Sequence, residues 1–102
     1  MSRGANTSVS YSALTAITLL NIGSGGPPRR GLVFYVFATT AGTADVYYLD
    51  PVTGAERLLQ TQPVVANTLL SIDFDFHVPS ARLKFTPSSQ PGTVTAEGCT
   101  YG

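Results

Sequence analysis

From Leu32 to Tyr101 the chain repeats one device. A short run rich in Val, Ile, Leu, Phe, Tyr and Thr is closed by a cluster of Gly, Pro, Asp or Ser, and then the next run begins. Alternate residues of an extended strand point to opposite faces, so runs of this length and pattern read as strands. The runs are 32–40, 44–50, 55–61, 67–76, 81–87 and 92–101, with a seventh upstream at 11–21. "LVFYVFATT" is apolar at both parities, which marks a central strand covered on both sides, by its own chain or by a partner. In "DPVTG", Asp50 can cap, Pro51 presets φ and Gly54 can take positive φ, so a tight bulged hairpin is expected there. "AERLLQT" is expected to end near Pro63. Seven to eight short strands at regular spacing predict an all-β fold, a single β-sandwich or jelly-roll-like domain.

The first ten residues, "MSRGANTSVS", are small and polar without period. They are expected to form an extended N-terminal arm lying along a neighbour, with the sandwich running from residue 11 to 102. Glycines and prolines in "IGSGGPPRRG" make a long loop between the first two runs. A 102-residue chain can bury about two-thirds of its unfolded surface, so neither metal nor disulfide is required for folding.

Six basic and six acidic residues give zero net charge, at only 12% charged residues. That balance argues against nucleic acid and anionic membrane as partners. Near-zero charge favours association, so an oligomer or a partner is expected. No apolar run approaches the roughly 20 residues of a membrane-spanning helix. Threonines interrupt "ALTAITLL", which does not have the form of a secretory leader. The single cysteine, Cys99, has no internal disulfide partner and fits folding in a reducing compartment.

The densest cluster of chemistry is "SIDFDFH", which puts Asp73, Asp75 and the only histidine, His77, at one parity. A metal site would need further ligands converging on them. The next run offers a blander account. If 67–76 and 81–87 form a hairpin, Asp75 faces Arg82 and Asp73 faces Lys84. Phe74 then faces Leu83 and Ile72 faces Phe85. Both faces match at once, and such cross-strand pairs contribute about 0.2–1 kcal/mol each. We therefore expect Asp73–Lys84 and Asp75–Arg82 as structural pairs, with no metal and no catalytic dyad.

Elsewhere the chemistry is thin. "GSGGPPRRG" lacks the Gly-Lys-Ser/Thr ending of a phosphate loop, so Arg29 and Arg30 read as contacts to an acidic neighbour or as solvated cations. No G-x-S-x-G elbow accompanies the lone histidine. Parity shifts near Gly98, so a bulge is expected there, with Cys99 a buried, inert thiol. Tyr35, Tyr47 and Tyr48 raise a sugar platform, which the absence of tryptophan weakens. No cofactor is expected, and the chain reads as a non-enzyme.

With the strands laid out, the segment 32–98 resembles small β-sandwich modules of tailed-bacteriophage virion proteins. The matching pieces are the turn Asp50 to Gly54, "VANT" from Val65 to Thr68, "RLKFTP" from Arg82 to Pro87, and "GTVTA" from Gly92 to Ala96. The resemblance implies a structural role, most like a capsid decoration or cement protein on the virion surface, assembled in the host cytoplasm. It would bind across major capsid protein subunits and stabilise the head, as a homo-oligomer with a trimer favoured. The expected contacts are Met1, Ser2, Arg3, Asn6, Thr7 and Ser8 of the arm, with Arg29 and Arg30. The alternatives are a tail, baseplate or fibre-attachment component, or a carbohydrate-binding sandwich used in host attachment.

Overall fold

Among the described residues the protein forms eight antiparallel strands: β1 (Arg3–Tyr11), β2 (Ile17–Ile22), β3 (Gly31–Ala38), β4 (Gly42–Leu49), β5 (Glu56–Val64), β6 (Leu70–Phe74), β7 (Ala81–Pro87) and β8 (Gly92–Tyr101). The structure is a computed structural model that describes residues 3–22, 30–50, 52–76, 78 and 80–101, with backbone alone at 3–5. Two four-stranded sheets result. Sheet I has the order β1-β8-β3-β6 and sheet II the order β2-β7-β4-β5.

The order follows from folding one long ribbon. Strands β1 to β4 run out and β5 to β8 run back, pairing β1 with β8, β3 with β6, β2 with β7 and β4 with β5. The ribbon then wraps so that β3 meets β8 and β4 meets β7. This is the jelly-roll arrangement, a sandwich in which consecutive strands mostly lie in opposite sheets. The ribbon's tip is the turn expected at 50–54. Asp50 Oδ1 accepts the Val52 N–H at 2.8 Å, the Gly54 N–H donates to Asp50 O at 2.8 Å, and Gly54 has φ of 76°. Only glycine adopts that φ without steric cost.

The core lies between the sheets. Phe34, Leu32 and Val36 from β3, Phe85 and Leu83 from β7, Ile72, Val46 and Val94 are fully buried. Each comes from one parity of its strand, as the alternation requires. Tyr11 closes one side, its ring 5.7 Å from that of Phe85.

Two expectations are corrected. The predicted arm at 1–10 is, from Arg3 onward, strand β1, paired along its length with β8. The run at 11–21 divides, since β1 ends at Tyr11 and β2 starts at Ile17. β5 ends at Val64, next to Pro63 as expected. β5 is an edge strand, where a residue without an N–H removes no ladder bond if it faces solvent.

The hairpin of 67–76 with 81–87 is also overturned. β6 belongs to sheet I and β7 to sheet II, so Asp73–Lys84 and Asp75–Arg82 are not cross-strand pairs. The apolar faces of both strands still point into the common core, but from opposite sheets. The charged groups find other partners. Arg82 Nε donates to Asn21 Oδ1 at 2.8 Å, its Nη1 pairs with Glu56, and Lys84 Nζ donates to Glu56 Oε2 at 3.0 Å.

Candidate interaction face

Strand β3 is where apolar character exceeds what the core can absorb. Leu32, Phe34, Val36 and Ala38 point inward and are fully buried. Val33, Tyr35 and Phe37 hold the opposite parity and point out of sheet I. β3 lies between β8 and β6, so this is the middle of a face rather than a rim. Tyr35 and Phe37 are nonetheless 38% exposed each. Among the described residues no element packs over them.

The register fixes their neighbours. Phe37 lies beside Thr95 of β8. Tyr35 lies between Glu97 of β8 and Ser71 of β6, and Val33 between Cys99 and Asp73. The link before β6 completes the group. Asn67 takes a left-handed φ of 58° and its N–H donates to Ala38 O at 2.8 Å. Short polar Asn is among the few side chains that tolerate this conformation. The bond ties the link to the end of β3, and Leu69, 61% exposed, follows it. Tyr35, Phe37, Leu69, Thr95 and Glu97 line one open groove of about 340 Å³.

This groove is apolar with one carboxylate. Glu97 stands in it without a salt bridge among the described residues. Further along the same face, the Tyr101 hydroxyl donates to Asp73 Oδ1 at 2.8 Å, sharing its proton with Phe74 O at 3.2 Å. The Tyr101 phenol is held above its ordinary range, since ionising it would lose that bond and set a second negative charge beside Asp73. Arg30 meets Asp75 at 3.3 Å, an exposed pair of little energetic weight.

Sheet II presents the opposite character. Glu56 bridges Arg82 and Lys84, and Lys84 Nζ sits 4.9 Å above the Tyr47 ring. Those two cations hold Glu56 below the usual carboxylate range, Lys84 foremost. The cations of sheet II pair with Glu56 and Asp50, and Asp45 accepts the Thr61 hydroxyl at 2.7 Å, whereas the face of sheet I carries the apolar groove and, among the described residues, an acid without an ion pair.

The sequence-nominated contacts fall elsewhere. Asn6, Thr7 and Ser8 belong to β1, and Arg30 to the rim beside Asp75. Met1, Ser2, Arg29 and His77 lie outside the described residues, as does the Arg3 side chain. Among the described residues no three His, Cys, Asp or Glu side chains group as metal ligands. Cys99 is not the buried thiol expected. No register shift occurs at Gly98, so Cys99 keeps the outward parity and is half-buried on the face of sheet I. The groove residues Phe37, Leu69, Thr95 and Glu97 were not singled out from sequence. The signal for Phe37 was the two-sided apolar pattern of "LVFYVFATT"; Leu69, Thr95 and Glu97 join it through strand pairing and the link before β6.

No protein-family model matches the chain, and no curated protein sequence matches it. Several solved structures share the fold. PirA is 10% identical with a TM-score of 0.61, over 92% of this chain and 90% of its own. A subunit of Bacillus endospore appendages, described as disulfide-linked pili, is 15% identical with a TM-score of 0.60, over 99% and 86%. The Yersinia pseudotuberculosis-derived mitogen is 10% identical with a TM-score of 0.57, over 100% and 88%. At these identities the likeness is one of fold.

Proposed function

We propose that the chain is a non-enzymatic structural protein that docks on a protein assembly through the outer face of sheet I, and that the assembly is a virion shell. The observation that carries this reading is the pair Tyr35 and Phe37, exposed at the centre of a sheet. Central aromatic anchors in a polar surround are the usual energetic centre of a protein interface. Ser71, Thr95 and Glu97 supply the polar surround. The phage-like turn and strand motifs of 32–98 support a capsid decoration role, in which the protein bridges major capsid subunits. A ligand that binds the assembled shell better than free subunits stabilises the shell by mass action.

The test is co-sedimentation of the purified protein with empty heads of tailed phages, at low and high salt. Wild type is expected to pellet at a stoichiometry matching a symmetric position on the shell. Tyr35→Thr with Phe37→Thr is expected to weaken binding at least tenfold while the protein stays folded. Equal pelleting of the double variant would remove the groove from the interface, and a wild type that remains in the supernatant would remove the shell.

A second reading rests on the same groove. Tyr35 beside Glu97 and Thr95 gives an aromatic wall with polar edges, the chemistry that holds a sugar ring. A glycan panel separates the two, because a decoration protein is expected to bind none of its members.

A further inference from the structure

A sheet edge exposes unpaired N–H and C=O groups, and proteins blunt it by shortening the strand, bulging it, or placing proline or charge on it. Four edges can be compared here. β5 carries Pro63, Glu56 and Arg57, and its ladder with β4 shifts register between Val46 and Tyr47. β2 has 6 residues and a register shift between Thr18 and Leu20. β6 has 5 residues. β1 differs from all three. It runs for 9 residues without proline, and its ladder with β8 continues from Arg3 to Tyr11 without a shift. Its one charged residue, Arg3, stands at the end. Among the described residues its only ladder partner is β8.

We infer that β1 is a self-association edge, taking the β1 strand of a second copy of this chain in antiparallel register. The choice of occupant follows from the comparison of edges. A contact between identical chains needs an open edge from each, and each copy has one unblunted edge. The same strand must therefore serve on both sides, which is an isologous, twofold contact. An edge-built trimer would need a second, different open edge.

The register follows too. Inward residues stay inward only if odd positions face odd positions, because a one-residue slip turns every side chain over. Full overlap of Arg3–Tyr11 with itself satisfies this, with Thr7 on the twofold axis. Asn6 then faces Ser8 of the second copy, Ala5 faces Val9, and Arg3 faces Tyr11. The lone charge never meets itself, and polar pairs such as Thr–Thr and Asn–Ser suit cross-strand positions. The product is one continuous sheet, with both copies' Tyr35–Phe37 grooves on the same side. Two grooves on one rigid body would engage a repeating surface together, with a gain in avidity. The inference does not depend on the shell reading, since β1 lies outside the groove.

Sedimentation velocity over a concentration series tests it on the whole chain. The expected species is a dimer, twice the 10.7 kDa chain. Asn6→Lys with Ser8→Lys sets cations opposite each other twice and is expected to give a folded monomer. Asn6→Lys with Ser8→Glu makes the same two pairs complementary and is expected to restore the dimer. A wild type that stays monomeric at every concentration overturns the proposal. So does a dimer that survives the first variant, or a second variant that remains monomeric while folded. Should either variant fail to fold, Thr7→Cys in a Cys99→Ser background decides instead. Rapid oxidation to a covalent dimer is expected, and its absence overturns the twofold register.

Discussion

Gly98 has no room for a side chain. It sits inward on β8, and a Cβ there would lie 2.8 Å from both Cδ1 and Cε1 of Phe34, a fully buried ring. Gly98→Ala therefore overpacks the core and is expected to lower stability by about 1–3 kcal/mol. Gly54 is the converse case. A Cβ there meets nothing within 4 Å, but φ is +76°. Gly54→Ala is expected to lose about 1–2 kcal/mol from backbone strain alone. Asparagine separates the two causes. It tolerates the left-handed region, so Gly54→Asn should recover much of the loss, while Gly98→Asn should be worse than alanine. Urea midpoints at constant slope would report each change. The parity shift at Gly98 suggests a bulge only if glycine is a break in the pattern. The strand instead continues through it, with an aromatic ring filling the place of a side chain. That is why Cys99 points outward.

At the scale of elements, alternation fixes which residues share a face but not which strand lies alongside. The inward set Ile72, Phe74, Leu83 and Phe85 was legible, and all four are buried. Their mutual arrangement was not, because two apolar faces match equally well side by side or across a core. In this topology β4 and β5 are the one consecutive pair that shares a sheet, and theirs is the turn with local chemistry to announce it. The expected hairpin of 67–76 with 81–87 has no such turn. A double-mutant cycle discriminates the arrangements. Asp75→Asn and Arg82→Gln should add within about 0.3–0.5 kcal/mol, as unconnected sites do. Arg82→Gln and Glu56→Gln share a contact and should not be additive. Glu56 also gives a pH dependence with a definite sign. Its folded pKa is lowered, chiefly by the Lys84 hydrogen bond. Its contribution is therefore complete above the ordinary glutamate range and is lost as pH falls through the lowered value. The melting-temperature gap between wild type and Glu56→Gln should be widest near neutral pH and close on acidification.

For the whole molecule, the two outer faces must be weighed against the core they share. The chain has no net charge and a pI near 6.5, so long-range repulsion does little to keep copies apart. What distinguishes the faces is local. Sheet II bridges its face with Glu56, Arg82 and Lys84 and exposes Leu58 and Leu59 on its edge strand β5, whereas sheet I leaves Tyr35 and Phe37 of the inner strand β3 to solvent, with Leu69 beside them. The two parities of β3 should therefore respond differently to loss of apolar area. Phe34 is fully buried, and Phe34→Ala removes a core ring at about 3–5 kcal/mol. Phe37 is 38% exposed, and threonine keeps the β-branched backbone preference of a strand. Phe37→Thr should then lower stability by about 1 kcal/mol or less. Paired with Leu69→Thr, it should raise the solubility limit near pH 6.5, where charge offers least protection. If the double variant melted as far below wild type as Phe34→Ala does, the outer face would be part of the core's support. A small shift in melting with a clear gain in solubility would mean that the face contributes little to folding and is free for a partner.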